Sequence, residues 1–170
     1  GHWVMSRFNR TNTKKNTIFY AMISGGVASN YIGTSTFTAS RDTVYRGVAL
    51  NRGSQLSNPV NLDGQYTANA FVTYGIPVAK LKSNLNFNLS TGFTNIPSLI
   101  NDVKANTLNQ NYRLGIVLSS NISENIDFTF SSESTYSLSS NSLNSALNAA
   151  YVVQTSKLKY DWIMPFGFTF

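Results

Sequence analysis

Three charged residues on two neighbouring predicted strands, Arg113, Asp127 and Glu133, form the one charged constellation in the sequence that could act on a solute. We predict a hairpin in which Arg113 lies opposite Ser131 and diagonal to Glu133, and diagonal neighbours are within reach of long side chains. Such a cluster can line a solute path, or it can neutralise charge in an enclosed space. Because enclosed charges are generally paired, we expect the second role.

A row of amides at alternate positions, Asn84, Asn86 and Asn88, is the other polar constellation. In an extended strand these three side chains point to one face. Amides offer donors and acceptors, so the row could bind a sugar. It could equally hydrate the inside of a barrel or pack against a plug within it, and this is the role that we expect.

Groups suited to catalysis or metal binding are scarce. The only histidine is His2, so a Ser-His arrangement has little support in this sequence. There is no cysteine, so disulfides and thiolate metal sites are excluded. The seven acidic residues are spread along the chain without the clustering that a metal site needs. We therefore expect no enzyme activity, no cofactor and no metal.

The elements that must carry these residues alternate apolar and polar side chains with a period of two, which is typical of β-strands. The clearest alternation runs over 65–74 and resumes at Asn84, and a second predicted hairpin spans 109–135. Tyr66 and Tyr74 lie on one face, about 26 Å apart at roughly 3.3 Å per residue, or about 20 Å along a membrane normal at a tilt of about 40°. The predicted aromatic girdle comprises Tyr66, Tyr74, Phe93, Tyr112, Tyr160 and Trp162.

Two environments could cover the apolar side of such strands: a second sheet in a soluble sandwich, or lipid around a transmembrane barrel. Soluble strands are shorter, near 5–6 residues, and two aromatic girdles suit a lipid belt about 25 Å tall. The chain also has only 12% charged residues, with 42% hydrophobic and 13% aromatic residues, where soluble domains carry about 25% charge. We expect an all-β, antiparallel transmembrane barrel, or a segment of one with seven to eight strands, in contact with membrane lipid.

The net charge of +6 does not indicate nucleic-acid binding, because the basic residues are scattered over turns and loops. At strand ends they can be solvated or can meet anionic lipid headgroups. Predicted connections alternate in length, with turns at 75–82, 119–125 and 163–165 and longer loops at 41–62, 95–105 and 139–146. This alternation is typical of short periplasmic turns and long extracellular loops. The slipped alternation of the last long strand predicts a bulge at 154–157, or residues Tyr151 and Val153 above the lipid.

The stretch 53–64, followed by Tyr66–Tyr74, resembles the barrel part of outer-membrane proteins of the TonB-dependent receptor type in Bacteroidota, as do 10–19 and 156–170. The resemblance implies a larger parent with a plugged barrel of about 22 strands. It also implies uptake of a nutrient across the outer membrane. The partners it implies are a plug domain or the rest of the barrel, a surface lipoprotein and an inner-membrane energising complex.

No plug, TonB-contacting segment or signal sequence is recognisable, so we expect residues 1–170 to be a single barrel segment without a second domain. Trp3–Phe8 and Phe166–Phe170 look too short to span a membrane, which favours a piece over a complete eight-stranded barrel. Two other functions stay open: a barrel for assembly, anchoring or adhesion without transport, and a soluble β-rich binding module.

Overall fold

A computed structural model describes residues 1–123 and 126–162, and most of them are in strands. Two single-turn 3-10 helices, Ala79–Leu81 and Ser145–Leu147, are the helical elements of this part. None of the helices described has the length and hydrophobicity needed to cross a membrane. The strands are β1 His2–Asn12, β2 Thr17–Ala28, β3 Tyr31–Thr38, β4 Thr43–Tyr45, β5 Val48–Leu50, β6 Gln55–Leu62, β7 Gln65–Val78, β8 Ser83–Ile100, β9 Val103–Ser123, β10 Ile126–Asn141 and β11 Ala149–Trp162.

Seven long strands form one antiparallel sheet in the order β1-β2-β7-β8-β9-β10-β11. The predicted all-β, antiparallel architecture is therefore confirmed. Strand β3 pairs antiparallel with β6 and, over two residue pairs, parallel with the end of β8, while β4 and β5 form a small separate hairpin. Among the described residues no pairing joins β1 to β11, so the sheet has two edges and closure into a barrel is not seen there.

The register aligns the apolar sides of the long strands. Phe19 faces Tyr74, Tyr74 faces Phe87, and Phe87 faces Ile116 on the next strand. Because side chains alternate between the two sides of a strand, these pairings join the apolar positions into one continuous surface, the apolar face. Its large members include Val4, Phe8, Phe19, Ile23, Tyr66, Val72, Tyr74, Phe87, Leu89, Tyr112, Leu114, Phe130, Tyr136, Leu158, Tyr160 and Trp162.

This sheet is a single layer. The apolar face keeps much of its surface accessible, with Leu89 at 57%, Leu114 at 52% and Leu158 at 72% exposure. The accessible surface totals 11837 Å² for 18.7 kDa, where a compact soluble protein of this mass would expose about 8,300 Å². Among the described residues, then, no second sheet covers the apolar face of this chain.

Several strands are longer than the sequence predicts, which makes three predicted connections wrong. Strand β7 continues through Gly75 to Val78, so the turn predicted at 75–82 shrinks to a 3-10 turn. Strand β8 runs on to Ile100, which replaces the predicted loop at 95–105 by the turn Asn101-Asp102. Both turn residues have positive φ, 49° and 64°, the backbone of a tight hairpin turn. In the third, 119–125, residues up to Ser123 belong to β9, and 124–125 lie outside the described residues.

Two predictions about the outer strands are also wrong. β10 and β11 pair without any register shift from Ile126 with Trp162 to Ser139 with Ala149, so no bulge occurs at 154–157. Tyr151 and Val153 instead lie on the side opposite the apolar face. Strand β1 has 11 residues, enough to span a membrane, so the argument from a short Trp3–Phe8 fails. The predicted turn at 163–165 and the predicted strand Phe166–Phe170 lie outside the described residues.

The segment 31–62, which contains the predicted loop 41–62, folds into a lobe built from β3 to β6. The rings of Phe37 and Tyr45 stack with centroids 3.9 Å apart, and Thr38 donates its backbone N–H to Asn101 Oδ1 over 2.8 Å. Tyr45 donates its hydroxyl to Asp102 Oδ1 over 2.7 Å, and this hydrogen bond raises the pKa of the phenol. These contacts attach the lobe to the turn between β8 and β9.

Candidate functional site

Two bands of aromatic rings cross the apolar face. The upper band, on the side of the lobe, consists of Tyr66, Phe93, Tyr112 and Tyr136. Its rings are neighbours, with centroids 5.8 Å apart for Phe93 and Tyr112 and 6.4 Å apart for Tyr112 and Tyr136. The lower band, on the side of the turn at 79–82, comprises Phe8, Phe19, Tyr74, Phe87, Phe130, Tyr160 and Trp162.

The upper band runs obliquely across the strands. On β7 it starts at Tyr66, which pairs with Asn95 of β8. On β10 it ends at Tyr136. Tyr136 pairs with Tyr112, and Tyr112 pairs in turn with Thr91 of β8. The band has therefore moved four residues along β8 while crossing three strand pairs.

The lower band drifts in the same direction. When the residue pairs are followed from strand to strand, Phe8 on β1 lies at the same level as Leu89 on β8. Tyr160 on β11 lies at the level of Ser83. This drift of six residues over six strand pairs is one residue per strand. With roughly 3.3 Å per residue and about 4.8 Å between strands, the lower band is level when the strands tilt by about 35°, and the upper band when they tilt by about 42°.

The two bands lie six to eight residues apart. On β7, Tyr66 and Tyr74 are eight residues apart. On β8, Phe87 and Phe93 are six residues apart, as are Phe130 and Tyr136 on β10. The bands therefore border a strip about 20–26 Å wide along the strands at roughly 3.3 Å per residue.

All six residues of the predicted aromatic girdle lie on the apolar face. Tyr66, Phe93 and Tyr112 belong to the upper band, and Tyr74, Tyr160 and Trp162 to the lower one. The sequence prediction omitted five further members, Phe8, Phe19, Phe87, Phe130 and Tyr136. Alternation alone could have found Tyr136, because it shares the even-numbered positions of Phe128 and Phe130.

The opposite side of the sheet, the polar face, holds the predicted charge cluster in part. Arg113 Nε lies 3.4 Å from Glu133 Oε1, so the predicted ion pair is present. The predicted register is wrong, because Arg113 faces Thr135 instead of Ser131. Strand β9 continues to Ser123, and its pairing with β10 is shifted by four residues from the predicted one. An even shift keeps each side chain on its face, so Arg113 and Glu133 are still diagonal neighbours.

Asp127 does not join this pair. It lies eight residues along β10 from Thr135, the residue opposite Arg113, which is about 27 Å along a strand. Asp127 instead faces Asp161 of β11, and Lys159 Nζ forms a 2.6 Å ion pair with Asp161 Oδ2. Asp127, Lys159 and Asp161 line a polar groove of about 300 Å³ together with Asn84.

The asparagine row fits between glycines on the neighbouring strands. Thr73 Oγ1 donates a 2.7 Å hydrogen bond to Asn88 Oδ1. Asn86 Oδ1 occupies the space beside Gly75, only 2.6 Å from where a Cβ on that glycine would lie. This contact explains why Gly75 belongs to a strand although its sequence context suggests a turn.

Asn88 also lines a second groove, of about 170 Å³, with Glu133, Thr155 and Lys157. The two grooves are adjacent on the polar face of β9 to β11, whose charges balance at three cations and three anions: Arg113, Lys157, Lys159, Asp127, Glu133 and Asp161. Within the part of the chain that the structure describes, no group of three metal-ligating side chains is assembled. The chemistry available is hydrogen bonding and paired charge, which suits an uncharged or zwitterionic polar solute.

The polar face changes character toward β1. Tyr20 and Phe71 lie there with ring centroids 6.0 Å apart, and Trp3 and Met5 of β1 are more than half exposed on the same side. The grooves and the asparagine row therefore belong to the part of the sheet from β8 to β11.

Comparison with known proteins gives no assignment, since no family model, no curated protein and no solved structure matches this chain.

Proposed function

We propose that this sheet is part of the wall of an outer-membrane β-barrel, with the apolar face toward lipid and the polar face toward the interior. The observation that carries the proposal is the pair of parallel aromatic bands. Their separation corresponds to about 16–22 Å along the membrane normal at a tilt of about 35°, which fits within a lipid belt about 25 Å tall, and their drifts correspond to tilts of about 35° and about 42°, within the range of 35–45° for such barrels.

The connections support one orientation. At the lower band the strands are joined by the short turns 13–16 and 79–82. Beyond the upper band, β8 continues for seven residues past Phe93 to Ile100, and the lobe lies on this side. Short turns are typical of the periplasmic end and long extensions of the extracellular end. We therefore infer that the lobe is extracellular, and that the edges β1 and β11 pair with further strands of a larger barrel.

The activity that we propose is nutrient uptake by a transporter of the TonB-dependent type. The polar face supports it, because its charges are balanced and its hydrogen-bonding side chains line grooves. The structured lobe, in contrast, favours a second candidate, a barrel that anchors a surface partner without transport. Deleting the parent gene and measuring growth on single glycans, peptides and metal chelates separates the two, since only a transporter gives a defect confined to one nutrient.

The test of the membrane location is folding with and without detergent. We expect β-type circular dichroism and a compact, heat-modifiable band on a gel only when detergent or lipid is present, because the apolar face has no cover of its own. A monodisperse, cooperatively folded protein in plain buffer would instead indicate a soluble β-rich module and overturn the proposal.

Replacing Arg113 with Ala is expected to leave uptake unchanged and to lower the free energy of unfolding by no more than about 1 kcal/mol, the value of an exposed pair. Both partners are half exposed, at 55% and 50%, so little desolvation energy depends on the pair. The measurements are uptake by cells that carry the variant and denaturant unfolding in detergent. Selective loss of uptake in a barrel that folds normally would show instead that Arg113 contacts the solute.

A further inference from the structure

A cationic groove lies at the lower edge of the apolar face, where β1 turns into β2. It has a volume of about 430 Å³, and its walls include Phe8, Phe19, Tyr74, Arg10 and Lys15. The three rings form a continuous aromatic floor, with centroids 6.0 Å apart for Phe8 and Phe19 and 6.5 Å apart for Phe19 and Tyr74. The groove therefore joins an apolar surface to two cations.

The backbone places both cations at the rim. Arg10 pairs with Phe19 and is two residues beyond Phe8 on the same side of β1, so its stem can follow the apolar face while its guanidinium reaches the edge. Asn12 Oδ1 accepts hydrogen bonds from the backbone N–H groups of Lys14 and Lys15, over 3.1 and 3.2 Å. These bonds order the turn that carries Lys15.

The anion for these cations must come from outside this part of the sheet. Residues 1–41 and 64–101, which include β1, β2, β7 and β8, contain no Asp or Glu. The neighbouring turn adds Lys80 and Lys82 at the same end. The described carboxylates at this end, Asp127 and Asp161, lie on the polar face of β10 and β11 beside Lys159. Among the described residues, neither Arg10 nor Lys15 forms an ion pair with a carboxylate.

We propose that this groove binds an anionic phospholipid, with the headgroup phosphodiester between Arg10 and Lys15 and an acyl chain along Phe8, Phe19 and Tyr74. Arginine matches the geometry of phosphate oxygens, and a lipid brings the anion and the apolar chain together, which a free phosphate does not. This inference rests on the proposed membrane location and adds a lipid preference at the periplasmic end.

The test uses the full chain folded in detergent micelles and titrated with phosphatidylglycerol or with phosphatidylcholine of the same acyl chains, and bound lipid is counted by native mass spectrometry. Wild type is expected to prefer phosphatidylglycerol. The double variant Arg10→Gln/Lys15→Gln is expected to bind it about 25-fold more weakly, or about fivefold per charge, which corresponds to about 1 kcal/mol each. The matched control Arg41→Gln/Arg52→Gln removes the same charge from the lobe and is expected to keep wild-type affinity.

Three results would overturn the inference: equal affinity of wild type for the two lipids, an equal loss in the lobe control, or competition by soluble glycerol phosphate as strong as by the lipid. If the double variant loses its heat-modifiable band, it has not folded, and the inference is then tested by the lipid preference of wild type alone. A chain that never enters micelles contradicts the membrane location itself, whereas a folded chain without lipid preference contradicts only this inference.

Discussion

Arginine in place of Leu89 is expected to make folding into a bilayer less favourable by about 2–4 kcal/mol, the cost of this side chain near the middle of a lipid belt. Leu89 lies on β8 between Phe93 and Phe87, one ring from each band, and it faces Val72 and Leu114 on the neighbouring strands. Denaturant titration of folding into lipid vesicles measures the loss.

The matched control is Asn69→Arg. Asn69 lies within the same strip but on the polar face, where Gly92 on the next strand leaves space for a longer side chain. We expect this variant to fold like wild type. In water, a substitution at a position that is 57% exposed, as Leu89 is, would change stability by no more than about 0.5 kcal/mol. Equal behaviour of the two variants would therefore contradict a lipid contact at the apolar face.

Gly33→Ala is expected to detach the lobe from β8 and to cost about 1–3 kcal/mol, the penalty for inserting atoms into a well-packed site. A Cβ on Gly33 would lie 2.9 Å from the backbone oxygen of Pro97 and 3.0 Å from Leu62 Cδ1. The Pro97 oxygen belongs to a fully buried residue in a paired strand, so it cannot move aside easily. Hydrogen exchange of the amides of β3 and of Asn101, whose N–H bonds to Thr36 O, reports the detachment.

Thr34→Val is the control, since Thr34 is the next residue on β3 and is exposed. It alters side-chain size without approaching Pro97, and we expect wild-type exchange rates in the lobe. The seven-stranded sheet is expected to keep its protection in both variants, because the lobe pairs with it only at the end of β8. If Gly33→Ala left exchange unchanged, the contact between β3 and β8 would not hold the lobe.

The sequence by itself determined the strands and their two faces. Alternation over Tyr66–Tyr74 and Tyr112–Leu118 assigns each side chain to a side of its strand without any knowledge of the partner strand, because the side-chain period is fixed by backbone geometry. The same local rule identified the asparagine row and the six aromatic residues of the girdle. It also brought Arg113 and Glu133 to one face, and an even error in register could not separate them.

Only the tertiary structure decided where strands end and which residues meet across them. The local sequence around Gly75 and Pro97 is typical of turns. In the structure, Gly75 makes room for Asn86, and Pro97 lies beyond the last residue of β8 that pairs with β7, where a sheet tolerates proline. The residues responsible lie on neighbouring strands, so a local sequence pattern cannot predict these contacts. The separation of Asp127 from Arg113, the docking of the lobe on β8 and the parallel drift of the two aromatic bands likewise depend on register, which is set by cross-strand packing and turn geometry over the whole sheet.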